Sequence, residues 1–507
     1  MDVTKLSVDL AQRARVACDG AIGLHDHHGH QLEIVDMRRM YFALCGHLTT
    51  LPPSQPVGLL LDRHPRYVLA ICAALETATP FVPLNLDWPA SRRERVVELT
   101  ACKVLDDATF DAICRRAEPG PRRSVAPAPS PKPERVAYIM CTSGTSGTPK
   151  AVVISRDAFS NFVSWVDSHF STITEHDRVL LTAEFTFDMS LLNIALLLSG
   201  RGRHYVSRVK GDAFELAAQI ERDQITTLVT VPNTMSSLLR NAVMRRRKLG
   251  SIAHLLLGGS RFSYGVYDAI RNHLPGARCH NLYGPTECTV YCHARTLSGD
   301  PAHDMLDFNV SVGQPIRGTT CLVMDPAGGV ITAPREPGEL WIGGVQVLDE
   351  YRGSPEVTAS AVVTYQGERY YRTGDVGFFD DRGDYYITGR LDETLKRRGY
   401  RVNLLNIDSY IQRLAPVQEC MTIAVPHPVY EHELVTYVVA RAAVTEDELL
   451  QLMRQVLVDY EIPDEIRFAQ ELPRGATGKV DRKQLELRHA TSSALPSEAA
   501  LPNGSAG

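Results

Sequence analysis

The chain has 507 residues, 44% of them apolar, which is enough to bury at least two cores. Its 54 basic and 59 acidic residues leave a formal net charge of -5, without the basic field that nucleic acid or an anionic membrane surface calls for in a partner. The 11 cysteines are scattered, most of them in apolar runs, the usage of reduced core thiols and not of a disulfide framework.

The opening MDVTKLSVDLAQRARV alternates polar and apolar positions and lacks the basic start and apolar stretch of a secretory signal. The longest apolar run, Leu191 to Ser199, is broken by Asn193 and is far shorter than the roughly 20 residues of a membrane span. A soluble, cytoplasmic protein is the expectation. In LHDHHGHQLEI, the residues His25, His27, His28 and His30 flank an Asp/His/Gly turn. This reads as a hairpin, and its spacing fits a metal site only loosely.

VGLLLDRHPRYVLAICAALETATPFVPL, from Val57 to Leu84, reads as a buried strand, a helix with apolar positions at helical spacing, and a second strand. That alternation predicts an α/β layer structure. The proline-rich stretch from Glu118 to Glu134 can continue neither helix nor sheet and is expected as an extended connector. It leads into the strand VAYIM and the loop CTSGTSGTPKAVV. Thr142, Ser143, Gly144, Thr145, Ser146, Gly147, Thr148 and Lys150 make this loop small, rich in hydroxyls and cationic. Glycines let backbone amides approach an anion, hydroxyls add donors, and the lysine adds charge, so the loop suits phosphate. Pro149 before Lys150, with no Ser or Thr after it, sets it apart from the P-loop of kinases and GTPases.

Further along, Asp188 precedes an apolar run and could cap a helix there. The basic run Arg245 to Lys248 reads as a solvated helix face. LGGS, from Leu257 to Ser260, reads as a strand end, because it lacks the residue between Gly and Ser of a phosphopantetheine attachment site. Cys279, His280, Cys288, Cys292 and His293 include soft ligands without paired spacing. Short β-like runs between Gly and Pro, from about Val310 to Arg390, predict an all-β portion that closes a large domain. At Arg390, Leu391 and Asp392 the pattern changes, which places a boundary there. From about Ala490 the chain is rich in Ala, Ser and Pro and is expected to be disordered. The predicted organisation is therefore 1–390, 391–488 and a tail at 489–507.

The ordered segments TSGTSGTPK, NLYGPTE (Asn281 to Glu287), GELWIGG (Gly338 to Gly344), YRTGD (Tyr371 to Asp375), GRLDETLKRRGYRV (Gly389 to Val402) and PRGATGK (Pro473 to Lys479) resemble those of the adenylate-forming superfamily. That superfamily comprises acyl- and aryl-CoA ligases, peptide-synthetase adenylation domains and luciferases. The resemblance covers about residues 20 to 488. It implies an α/β fold in which a large N-terminal domain of α/β layered subdomains plus a β-barrel-like portion is followed by a smaller, mobile α+β domain.

The resemblance also implies roles. The TSGTSGTPK loop would hold the phosphates of ATP, Thr286 would touch the α-phosphate, and Glu287 would bind Mg2+, a hard cation that takes oxygen ligands. Tyr283, followed by Gly284, would stack on adenine, and Asn281 would hydrogen-bond its exocyclic amine. Asp375 would accept from the ribose hydroxyls, and Arg390 would contact ribose or the reacting phosphate. Lys479 would neutralise charge as the substrate carboxylate attacks. Rotation about a hinge at Asp392 would then admit a thiol for the second half-reaction.

Phe187, Asp188, Met189 and Ser190 resemble the FDxS segment of amino-acid-activating members, where Asp188 would pair with the substrate ammonium. Burying that ammonium with no counter-charge costs several kcal/mol. Carried over residue by residue, the pocket is Asp188, Met189, Leu192, Thr230, Leu256, Gly258, Leu282, Val290 and Tyr291, closed by Lys479. Its walls disfavour charged side chains. They are similar to those of proline:carrier-protein ligases, with departures at Thr230 and Tyr291. The expected activity is that of a stand-alone ligase that activates a small or medium apolar amino acid, proline being a leading candidate, and feeds a separate phosphopantetheine carrier protein in nonribosomal, antibiotic-type peptide synthesis. A carboxylate:CoA ligase and a non-catalytic nucleotide-binding relative are the alternatives. Ala151 after the phosphate loop and NLLNID after RGYRV depart from the family pattern.

Overall fold

A computed structural model describes residues 9–18, 23–116, 135–142, 149–208, 213–240, 248–307, 309–391, 394–397, 400–427, 431–457, 459, 461–475 and 480–493. The chain divides into two units, Met1–Ile387 and Thr388–Gly507. The expected connector at 118–134 lies outside the described residues.

The strand, helix and strand read between Val57 and Leu84 form as Val57–Leu60, Pro65–Glu76 and Phe81–Pro83, with the two strands parallel. Proline sits in the first helical turn, where its missing N–H costs nothing, and the His64 ring accepts from the Arg66 amide at 3.2 Å. These strands belong to a six-stranded sheet ordered Glu350–Tyr351, Lys150–Ser155, Val136–Thr142, Phe81–Pro83, Val57–Leu60, Lys103–Asp106.

An eight-stranded sheet runs Leu24–His25, Arg203–Val206, Arg178–Leu181, Thr227–Thr230, His254–Leu257, Arg278–Tyr283, His293–Thr296, Gln314–Pro315. Its first six strands pair in parallel, and each of the last two pairs antiparallel with the strand before it. Parallel strands covered on both faces need continuous apolar runs, which explains sequences such as RVLL, TLVT and HLLL. The all-β portion is a five-stranded sheet built on Glu368–Phe379, paired in antiparallel register with Gly338–Gly344 and Val362–Tyr365. In the histidine turn, His25 bridges Gln31 in antiparallel register, and Leu24–His25 also joins the eight-stranded sheet. Among the described residues no helix is long and apolar enough to cross a membrane, and no group of three His, Cys, Asp or Glu side chains is placed to hold a metal ion.

The second unit has its own core around Val402, Leu404, Ile407, Ile411, Leu434 and Val438. In NLLNID, Asn403 ends strand Tyr400–Asn403, which pairs with Thr394–Arg397, and the rest starts helix Leu404–Ile411, with Leu404 and Ile407 as core residues. A three-stranded sheet, Val417–His427, Glu431–Ala440 and Glu465–Phe468, and helices Glu446–Met453 and Arg482–Ser493 complete the unit. Residues 489–493, expected in a disordered tail, continue that last helix, because buried His489 lies 3.2 Å from the Tyr437 hydroxyl and ties the end down. Residues 494–507 lie outside the described residues.

Candidate active site

In open parallel sheets, ligand sites form beyond the carboxyl ends of the strands, where loops diverge. The predicted site residues of the first unit gather on such ends. Thr230 closes strand Thr227–Thr230, Gly258 follows His254–Leu257, and Asn281, Leu282 and Tyr283 end Arg278–Tyr283. Thr142 and Lys150 face each other in register as the two feet of the phosphate-type loop. Between them, Ser143, Gly144, Thr145, Ser146 and Gly147 lie outside the described residues, with Thr148.

The polar half is held by long-range hydrogen bonds. The Tyr283 hydroxyl donates to Asp375 Oδ2 at 2.5 Å. Burial and the Asp375 charge push the Tyr283 phenol well above its ordinary range, so it stays a donor. The Asp375 backbone is set by its own turn, its amide donating to Thr373 Oγ1 at 2.9 Å while that hydroxyl donates to the Leu340 carbonyl at 2.7 Å. Asn281 Nδ2 donates to the Ser311 carbonyl at 2.9 Å, which leaves the amide oxygen as its accepting atom.

Thr286 and Glu287 lie in a short 3-10 turn. Glu287 Oε1 accepts from the Tyr351 hydroxyl at 2.6 Å, and the Lys150 ammonium lies 5.3 Å from the centroid of the Tyr351 ring. Tyr351 thus links the loop lysine to the acidic residue by a cation-π contact and a charge-assisted hydrogen bond. Burial first, and then the Glu287 charge, push the Tyr351 phenol up. Tyr351 and Ser311 lie outside every motif read in the sequence, because each acts on a residue distant in sequence, and Thr373, within YRTGD, was given no role there.

The apolar half is continuous with the main core, which includes Met189, Leu192, Leu256, Leu282, Val290 and Tyr291. The N-cap of helix Ser190–Leu198 is Met189, so the capping position does not fall on Asp188. Asp188 is the one acidic residue among these walls, and it is partly exposed. Its charge, after burial, raises the phenols of Tyr138 and Tyr291, which places both rings within its field.

Thr289 and Val290 take positive φ angles of 57° and 69°. For a branched residue such as Val290 that backbone is strained and persists only where neighbours enforce it. The enforcing group is the side chain of buried Gln346. Its Nε2 lies 3.1, 3.2 and 3.1 Å from the carbonyls of Cys288, Thr289 and Tyr291, and its Oε1 accepts from Asn161 at 2.9 Å. Gly284 is required by the same loop, since a Cβ there would lie 2.6 Å from the Tyr291 Cα and 2.7 Å from the Val290 carbonyl oxygen. Gln346 was likewise missed in the sequence, where VQVLDE carries no motif.

Arg390 ends strand Tyr385–Arg390, is exposed and belongs to the second unit. Asp392 and Lys479 lie outside the described residues. The flanks of the Lys479 segment are well anchored within the second unit. Arg474 bridges Val480 in antiparallel register and pairs with Glu419 at 2.8 Å, while Arg482 pairs with Asp408 at 2.9 Å.

Two family models match the chain: AMP-binding enzyme over residues 24–352, and AMP-binding enzyme C-terminal domain over residues 406–479. The chain is 31% identical to the AMB antimetabolite synthetase AmbB of Pseudomonas aeruginosa, across 88% of this chain and 36% of that protein. It is 26% identical to the D-alanine–D-alanyl carrier protein ligase of Bacillus licheniformis, across 86% of this chain and 90% of that one. The chain spans less than half the length of several peptide-synthesis relatives it matches, such as the dimodular nonribosomal peptide synthase of Bacillus subtilis, of which it spans 19% at 29% identity. In fold it is similar to the anthranilate CoA ligase AuaEII, with a TM-score of 0.82, 18% identity, and 98% and 100% of the two chains covered.

Proposed function

The chain belongs to the family of AMP-binding enzymes, and from that premise we propose that it is an ATP-dependent ligase that activates an amino acid with an uncharged, small or medium apolar side chain, proline being one member of that class. The carboxylate oxygen of the amino acid attacks the α-phosphorus of ATP, the bond to the β-phosphate breaks, and pyrophosphate leaves. A phosphopantetheine thiolate of a separate carrier protein then attacks the acyl carbon and AMP leaves.

The observation that carries this reading is Asp188, the one carboxylate among the apolar walls Met189, Leu192, Leu256, Leu282, Val290 and Tyr291. An α-ammonium in such surroundings needs an acidic partner, whereas a fatty or aryl acid does not. On the nucleotide side, Tyr283 and Asn281 are suited to adenine, Asp375 to the ribose hydroxyls, and Thr142, Lys150 and Thr286, with residues 143–147, to the phosphates. The fit of Glu287 to Mg2+ rests on its carboxylate: Tyr351 takes Oε1, and a hard divalent cation accepts such an oxygen alongside phosphates and water. When bound, that ion would neutralise phosphate charge. Lys479 is assigned to the charge that builds on the attacking carboxylate and the α-phosphate, Arg390 to the ribose or phosphate, and Asp392 to the hinge between the 1–390 and 391–488 portions.

Pyrophosphate exchange across the common amino acids and a set of aryl and fatty acids tests the proposal. Exchange with an amino acid is the expected result. Exchange with a simple acid alone would transfer the chain to the carboxylate:CoA ligase reading, and exchange with nothing to that of a non-catalytic relative.

A further inference from the structure

Tyr291 and Gly258 are packed against each other in a way that limits what the pocket can hold. A Cβ on Gly258 would lie 2.5 Å from Tyr291 Cε1, 2.6 Å from its hydroxyl and 2.7 Å from Cζ. No side chain fits at 258 while the phenol is there, so the ring fills the space that the missing side chain leaves. The consequence is visible in the accessible surface. The apolar walls Met189, Leu192, Leu256, Leu282, Val290 and Tyr291 each expose 9% or less, whereas Asp188 remains partly exposed. These walls meet other protein atoms over nearly all of their surface, which leaves little open volume between them beyond Asp188.

The plug is also held in place. Its backbone follows directly on the strained Val290, and the Gln346 amide and close-packed Gly284 hold the loop there. The ring therefore springs from a backbone that cannot shift without breaking those hydrogen bonds, which rules out retreat of the loop as a way to admit a larger ligand. The Tyr291 hydroxyl is buried with no hydrogen-bond partner among the described residues. Such a group is costly unless a ligand or water meets it, and it offers a polar contact near the acidic end of the site.

We propose that Tyr291, seated on Gly258, is the size-limiting residue of this site, and that the amino acid activated has hydrogen or a single methyl as its side chain: glycine or alanine. This rests on the amino-acid reading above and narrows it to its smallest members, so that proline falls outside the range of the unaltered enzyme.

The test is pyrophosphate exchange with glycine, alanine, proline, valine and leucine, run on the full chain and on Tyr291→Ala and Tyr291→Phe. The unaltered enzyme is expected to favour glycine or alanine over the rest by at least about tenfold, the discrimination that each excluded methylene group provides. Tyr291→Ala should shift the preference toward valine and leucine, and Tyr291→Phe, which keeps the ring, should retain the original order. A preference of the unaltered enzyme for proline, valine or leucine would overturn the size limit while leaving amino-acid activation standing. An unchanged order in a folded Tyr291→Ala would do the same. Exchange with simple acids and no amino acid would overturn both. If Tyr291→Ala does not fold, the size series on the unaltered enzyme decides alone.

Discussion

The proposed nucleotide side and the proposed acid pocket share the ends of neighbouring strands in the same unit, yet they are organised by different forces. Around Tyr283, Asp375, Glu287 and Tyr351, charged and phenolic groups are already hydrogen-bonded across long sequence separations, 92 residues for Tyr283 to Asp375 and 64 for Tyr351 to Glu287. Around Tyr291 the walls are apolar, buried and shaped by a strained loop, and a hydroxyl is left without a partner among the described residues. Polar preorganisation suits a ligand that every member of the family shares, because its donors and acceptors are constant. Steric closure suits a ligand that must be told from its homologues, because differences of one methylene are read by volume.

If the two halves are separable in this way, substitutions should sort into those that change the use of ATP and those that change the choice of acid. The largest effect is expected where the halves share a step: Lys479→Ala should lower adenylation by about 10³-fold while leaving ATP binding nearly intact, measured by exchange rate against nucleotide titration. An unaffected rate would remove the role assigned to it. Asp188→Ala should weaken amino-acid activation by about 10²-fold, if breaking the buried pair costs roughly 3 kcal/mol. A des-amino analogue should lose little, and equal loss for the analogue would point to folding instead.

Asp375→Ala removes the acceptor of the Tyr283 hydroxyl and should raise KM for ATP by roughly tenfold, the value of a hydrogen bond to a charged group, without reordering the acids. A reordered acid panel would break the separation. Gln346→Ala removes the clamp on the carbonyls of Cys288, Thr289 and Tyr291, and should cost about 2 kcal/mol of stability, read by denaturant titration. It should also blunt selectivity among small amino acids more than it changes KM for ATP. The smallest effect is expected for Tyr351→Phe, which keeps the ring beside Lys150 and deletes only the bond to Glu287. A rise of a few-fold in the Mg2+ concentration for half-maximal exchange is the predicted outcome, about 1 kcal/mol.

Much of the architecture was legible before any coordinates. The strand, helix and strand pattern from Val57 to Leu84 announced an α/β layer structure, and Gly/Pro punctuation announced the all-β portion, because both are local consequences of burial and backbone freedom. The end of the chain was less legible: the composition from residue 489 onward suggested a tail, but the helix runs to Ser493 because His489 packs on Tyr437, a partner 52 residues away.

The same division holds for the site. The resemblance carried by short motifs along the chain singled out Asn281, Tyr283, Glu287, Asp375 and Asp188 as candidates before any coordinates. Only the folded chain decided that Gln346 holds the strained loop, that Tyr351 stands between Lys150 and Glu287, and that Tyr291 fills the space left by Gly258. Those contacts depend on which atoms meet after the sheets have packed. A side chain's type and spacing are written along one dimension, whereas the volume it leaves for a ligand is set by neighbours from elsewhere in the chain.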